Sequence, residues 1–268
     1  MQKPAMPTLT LDNIRNQYDP VWKALKPDAI DSYEEIRDRF QYTIKHFSDL
    51  LEILPPPRNI LELACGTGIA AVELARLGHN VTGIDCSSEA LEIAKTLEQH
   101  VNVKIQWLHD DMRCFQIDDP MDYILLWDVV FGIFASTRED SQVLERISQS
   151  LKMGGRCLFQ FYNKSFAIQH GIENRYFYNQ TQDLFLLDHS NNELPINKIK
   201  LYSHEEWRHM LQQVHMKIVR KDSSRLPDDP QDGPAHQLSG SRKSHVNTNG
   251  DQAHGDYLIR HHQHRGNL

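Results

Sequence analysis

The residues best suited to chemistry in this sequence stand at the ends of short apolar runs. Leu61-Glu62-Leu63-Ala64-Cys65-Gly66-Thr67-Gly68 closes one such run with two glycines. Gly66 and Gly68 let the backbone turn sharply and approach a ligand where any Cβ would intrude. The helix expected next offers free N–H groups at its start. A second run, Val81-Thr82-Gly83-Ile84, ends in Asp85, whose acceptor oxygens can take both hydroxyls of a ribose. A third is followed by Asp110-Asp111-Met112. A carboxylate there can accept the exocyclic amine of adenine while the neighbouring backbone N–H reads a ring nitrogen. Asp111, directly before Met112, is the expected reader, with Asp110 a solvated neighbour. A fourth run ends at Trp127-Asp128, whose carbonyls would meet whatever lies mid-site. The set suits the grip of a nucleoside.

These tips need elements to hold them. Asn59–Ala64, Val81–Ile84, Val103–Trp107, Tyr123–Trp127 and Arg156–Tyr162 read as strands. Between them, Ile69–Leu77, Ser87 to about Gln99, and a helix capped by Thr137 with Asp140 three residues on, read as helices. The alternation predicts an α/β fold, a doubly wound and mostly parallel sheet with helices on both faces. Ligands in such sheets sit at the carboxyl ends of the strands, where strand order reverses. Before it, the apolar residues of 30–54 fall at steps of three and four, one helix face, stopped by Pro55-Pro56-Pro57. Residues 1–54 are therefore an N-terminal helical cap. The main domain spans 55–221, with an inserted antiparallel β segment at about 172–202. Ser203 to Glu206 forms a capping box opening a helix, and Met216–Lys221 is a further strand. Residues 222–268 are polar and expected to be disordered.

Composition excludes several classes. The 268 residues carry 29 basic and 36 acidic side chains, a net charge of −7, which disfavours a nucleic-acid partner. The most apolar stretch, Tyr123 to Ala135, is 13 residues, short of a membrane span of about 20. No signal segment is expected at the N-terminus. Four cysteines without a Cys-x-x-Cys pair read as reduced thiols in a cytoplasmic protein. His261, His262 and His264 lie in the polar tail without fixed geometry, so no metal site is expected.

The motifs ELACGTG, GID and DDM, followed by a Leu-Lys-x-Gly-Gly turn before the fifth strand, resemble class I S-adenosylmethionine-dependent methyltransferases of the small-molecule type. The resemblance covers about 55–163 strongly and extends more loosely to 221. It implies a Rossmann-like methyltransferase fold and transfer of the methyl of S-adenosylmethionine to a small-molecule acceptor by in-line displacement. It also implies roles. Gly66 and Gly68 pass under the methionine part of the cofactor, and Glu62 supports its amino end. Asp85 holds the ribose, Cys86 lies by the adenine face, Asp111 and Met112 frame the adenine, and Trp127 lies near the methionine. Ala70 stands at the third glycine position, a mild departure. Family members close the sheet with an antiparallel hairpin. Met216–Lys221 supplies its first strand, and Tyr257–Arg260 is expected to dock weakly or not at all.

Other readings remain open at this stage. Gly66 to Ala71 also satisfies a loose dinucleotide fingerprint, which would make the chain an NAD(P)-dependent oxidoreductase. A non-catalytic S-adenosylmethionine-binding protein is the third reading. No catalytic base is assigned; Asp128, His170 and His109 are the candidates. The aromatics Phe131, Phe134, Phe166, Tyr176, Phe177 and Tyr178 either enclose an acceptor pocket or form the inner face of the inserted sheet. Tyr18 and Trp22 either form a lid over the cofactor or dock a mobile N-terminus.

Overall fold

The computed structural model describes residues 55–126, 130–162, 164–170, 176–187, 198–222 and 254–261, with short pieces between 19 and 37. The first half reads β1 (Asn59–Leu63), α1 (Ile69–Arg76), β2 (Asn80–Asp85), α2 (Ser88–Val101), β3 (Ile105–His109), β4 (Met121–Leu126), α3 (Thr137–Ser150) and β5 (Leu151–Tyr162). It continues with α4 (Lys164–His170), β6 (Tyr176–Asn179), β7 (Leu184–Leu187), β8 (Lys198–Ile199), α5 (His204–Gln213), β9 (Met216–Asp222) and β10 (His254–His261).

The large sheet has the order β3-β2-β1-β4-β5-β10-β9. Its first five strands pair in parallel, as the alternation predicts. Strand order reverses between β1 and β4, which places the ligand crevice at the carboxyl ends of those strands. Period-two alternation sorts the side chains into two buried layers. Leu61, Leu63, Ile124, Leu126, Cys157 and Phe159 face one layer. Ile60, Val81, Tyr123, Leu125 and Leu158 face the other.

Helix starts follow their caps. Ser87 accepts the Ala90 N–H, and Ser203 with Glu206 makes the predicted reciprocal capping box. The start of α3 is shifted from expectation. Ser136, in extended conformation, is the cap and accepts the Glu139 N–H, so Glu139 rather than Asp140 takes the third helical position. Asp140 is buried instead and accepts a hydrogen bond of 2.5 Å from the Tyr202 hydroxyl.

The expectation of a disordered tail over 222–268 fails for 254–261. These residues form β10, antiparallel to both β5 and β9. Without it both neighbours would present open edges with unpaired backbone groups. The entropy of closing a loop grows only logarithmically with its length, so a distant segment can supply the missing strand. β9 bulges opposite Leu258/Ile259, where Leu258 pairs with Arg220 and Ile259 with Ile218. Residues 223–253 lie outside the described residues.

The inserted β segment is a separate antiparallel sheet, β6-β7-β8. Asp183, in its β6–β7 turn, is bound by Lys200 at 2.9 Å, Lys164 at 3.1 Å and the Tyr178 hydroxyl at 2.9 Å. Lys164 also reaches Glu206 at the start of α5, at 3.1 Å. Burial alone would raise the Asp183 pKa, but the two ammonium groups and the phenol outweigh it and hold the carboxyl at about 2. Most of the predicted N-terminal cap lies outside the described residues, but the described pieces pack on the sheet's helices. Tyr33 is buried and donates to Glu73 of α1 at 2.5 Å, and Glu34 meets His100 of α2 at 2.9 Å.

Candidate functional site

The turn after β1 is built from left-handed backbone. Ala64, Gly66 and Gly68 have φ of 53°, 52° and 71°. The Cys65 N–H donates to the Ile84 carbonyl at 3.0 Å, and the Gly68 N–H returns to the Cys65 carbonyl at 2.8 Å. The turn is thereby pinned against the tip of β2, and Gly68 then caps α1.

Asp85 stands at that tip, nearly buried. One of its oxygens accepts the Gly66 N–H at 2.8 Å and the other accepts the Ser87 N–H at 2.8 Å. The carboxylate thus ties the glycine turn to the start of α2. Burial pushes its pKa above the ordinary carboxylate value, opposed by the N–H groups of Ser87, Gly66 and Cys86. A carboxylate has about four acceptor positions, so capacity remains for a further donor such as a ribose hydroxyl. The donor and acceptor set fits a nucleoside cofactor.

Gly68 has a structural duty that its sequence position does not reveal. A Cβ there would stand 2.4 Å from the Trp107 ring, and one at Gly83 would stand 2.4 Å from the same ring. Trp107 lies across both glycines with its indole N–H donating to Glu98 at 2.7 Å. Glu62 is buried within β1, level with Gly83 of β2 and Leu125 of β4. Cys65 is buried, and burial pushes its thiol pKa well up, which disfavours the thiolate form.

At the tip of β3, the Asp110 N–H donates to the Asp85 carbonyl at 3.1 Å, joining the two strand ends. His109 holds the Cys86 carbonyl at 2.9 Å, so it braces the backbone just after β2. Cys86 is half-buried and Met112 is buried, both in the first layer of the core. Asp111 is committed to a neighbour. Its carboxylate is gripped by the Arg113 guanidinium, with Nη2 at 2.6 Å and Nε at 3.0 Å from one oxygen. An adenine amine at Asp111 would share the carboxylate with that fork. Trp127 and Asp128 lie outside the described residues. His170 ends α4, and its side chain is likewise outside them.

The aromatics of the loop after β4 pack inward. Phe131 packs 4.6 Å from the Trp207 ring and Phe134 is buried beneath Arg113 at 4.5 Å. Tyr176 and Tyr178 pack within the β6-β7-β8 cluster, while Phe177 is exposed. Sequence reasoning missed Asp19, whose carboxylate accepts from the Ser87 hydroxyl at 2.5 Å and brings the N-terminal segment to the Asp85 corner. It also missed Arg113, Glu139 and the Asp140–Tyr202 pair. Only Arg113 had a local signal, its place two residues after Asp111. Among the described residues no cluster of His, Cys, Asp or Glu could hold a metal. No helix among them is long and apolar enough to cross a membrane.

The sequence and fold have counterparts among known proteins. A family model for the methyltransferase domain matches residues 60–155. The ubiquinone biosynthesis O-methyltransferase of Colwellia psychrerythraea is 31% identical over 109 residues, 40% of this chain and 43% of that one. That of Proteus mirabilis is 24% identical over 151 residues, 51% of this chain and 60% of that one. The chain thus spans about half the length of the curated relatives it matches. A S-adenosylmethionine-dependent methyltransferase from Clostridium acetobutylicum shares the fold with a TM-score of 0.61 at 15% identity, over 84% of this chain and 92% of its own. The Burkholderia thailandensis 1,6-didemethyltoxoflavin-N1-methyltransferase, solved with its substrate and S-adenosylhomocysteine, superposes with a TM-score of 0.55 at 15% identity, over 98% and 94%. Residues 60–155 thus match the methyltransferase-domain family, and the chain around them shares the fold of solved S-adenosylmethionine-dependent methyltransferases.

Proposed function

We propose that this protein transfers a methyl group from S-adenosylmethionine to a small-molecule acceptor. The observation that carries the reading is Asp85, a buried carboxylate fixed between the Gly66 and Ser87 N–H groups at the strand tip beside the crevice. Bound S-adenosylmethionine supplies an electrophilic methyl on a sulfonium. The chain's own task is to bind and orient. Asp85 takes the ribose, with Cys86 beside the adenine and Asp111 and Met112 framing it. Glu62, Gly66, Gly68 and Trp127 surround the methionine end. Holding two reacting groups in a productive geometry lowers a barrier by about 7–11 kcal/mol, so a general base is not required.

Three observations support a small acceptor. The chain is acidic overall, with a net charge of −7, which disfavours nucleic acid as the acceptor. The β6-β7-β8 sheet is tied beside α5 by the Lys164 and Lys200 ion pairs, which builds walls outside the parallel sheet. The matched relatives carry names of enzymes acting on small molecules. A dinucleotide-binding sheet continues with a sixth parallel strand; here antiparallel β10 lies between β5 and β9, which counts against the oxidoreductase reading. The test is incubation with labelled S-adenosylmethionine and a cell lysate, read by mass spectrometry. Label in a small molecule is the expected result. Label only in protein or nucleic acid would contradict the acceptor class, and no transfer at all would favour a non-catalytic binder.

A further inference from the structure

Arg113 joins two places that the reaction must bring together. Its side chain, 12% exposed, lies between the adenine-side loop and the start of α3. Nε and Nη2 donate to Asp111, while Nη1 donates to Glu139 of α3 at 2.5 Å. The same guanidinium stacks 4.5 Å from the centre of the Phe134 ring. A planar fork can serve a carboxylate bidentately and an aromatic face at once, and lysine cannot.

Phe134 belongs to the loop after β4, on the acceptor side of the crevice. That loop is anchored at its other end. The Lys200 N–H donates to the Gly132 carbonyl at 2.9 Å, and a Cβ on Gly132 would stand 2.0 Å from the Lys200 carbonyl oxygen. Phe131 packs into the Trp207, Phe159 and Tyr202 rings. The loop thus has fixed footings on α5, on the 198–202 segment and, through the Gly132 N–H, on Asp140 of α3, and a further footing on Arg113. The footing on Arg113 connects it to Asp111, which the cofactor reading sets against the base.

We propose that Arg113 is a positioning residue: through Asp111, Glu139 and Phe134 it makes the order of the acceptor-side loop 130–135 depend on occupancy of the adenine end. The inference rests on the cofactor reading above. A base held at Asp111 fixes the carboxylate, the carboxylate fixes the guanidinium, and the guanidinium fixes Phe134. A site already ordered by one ligand costs less entropy to fill with the next, and such coupling is reciprocal. The acceptor would therefore bind better after the cofactor, with no direct contact between Arg113 and either reacting atom.

The test is amide hydrogen exchange on the full chain with and without S-adenosylhomocysteine, in the parent, Arg113→Lys and Glu139→Gln. In the parent, the ligand should slow exchange in both 64–87 and 130–135, the latter about fivefold or more, the lower end of usual coupling. In each variant the protection at 64–87 should persist and that at 130–135 should fall away. Glu139→Gln keeps the shape of the site, so it reports even if Arg113→Lys folds poorly. Equal protection of 130–135 in the parent and the variants would overturn the inference while leaving cofactor binding intact. So would protection in the parent confined to 64–87. Absence of protection everywhere in the parent would overturn the cofactor reading and this inference with it.

Discussion

Gly68 and Asp140 show what single residues carry here. Gly68 combines φ of 71° with a tryptophan ring 2.4 Å from any added Cβ. Left-handed backbone costs an L-residue roughly 1–2 kcal/mol before any clash. Gly68→Ala should therefore destabilise the fold by about 2 kcal/mol or more. Trp107→Leu should recover part of the clash, so a double-mutant cycle by urea unfolding should give non-additive energies. Strict additivity would show that Trp107 is not what forbids the Cβ. Asp140 is buried, and desolvation pushes its carboxyl to about 7, aided by Glu139 and opposed by the Tyr202 hydroxyl, the Gly132 N–H and Lys200. The folded state then holds a proton that the unfolded chain, near 3.8, has released. Between these values stability must fall as pH rises, and it flattens above about 7. Asp140→Asn should remove that slope, as measured by urea midpoints across the interval. Asp183 acts in a separate window, because its carboxyl is held at about 2 and its contribution is lost only in stronger acid.

At the scale of elements, β10 shows most plainly what the sequence does and does not disclose. Strands β1 to β5 are legible because apolar runs end in glycine or aspartate at regular intervals, and period-two alternation survives burial. The capping box at Ser203 is legible because both partners lie within four residues. β10 is not, since its pairing partners in β5 are about 100 positions away and the chain just before it, 223–253, has no apolar pattern. Arg113–Glu139 and Asp140–Tyr202 are hidden for the same reason: the partners meet only after the sheet has formed. The pairing register makes a direct prediction. Leu258 sits between Leu158 and Arg220, so Leu258→Pro removes a ladder donor in the sheet interior. A loss of about 3 kcal/mol is expected, a drop in Tm of roughly 6–12 °C for a domain of this size. An unchanged Tm, or rapid exchange of the 254–261 amides in the parent, would show that the strand does not complete the sheet.

At the scale of the whole molecule, a glycine turn, a buried carboxylate and the ends of five parallel strands meet at one corner, to which we assign a nucleoside-bearing methyl donor. The central claim is that this corner binds that donor through Asp85. Calorimetric titration of the parent and of Asp85→Ala with S-adenosylhomocysteine, and of the parent with NADH, tests it most directly. The account predicts saturable heat for the parent with S-adenosylhomocysteine and none with NADH. It predicts a loss of about 1.5–3 kcal/mol in Asp85→Ala, the size of a hydrogen bond to a charged group. Affinity within twofold of the parent in Asp85→Ala, or heat with NADH and none with S-adenosylhomocysteine, would contradict it.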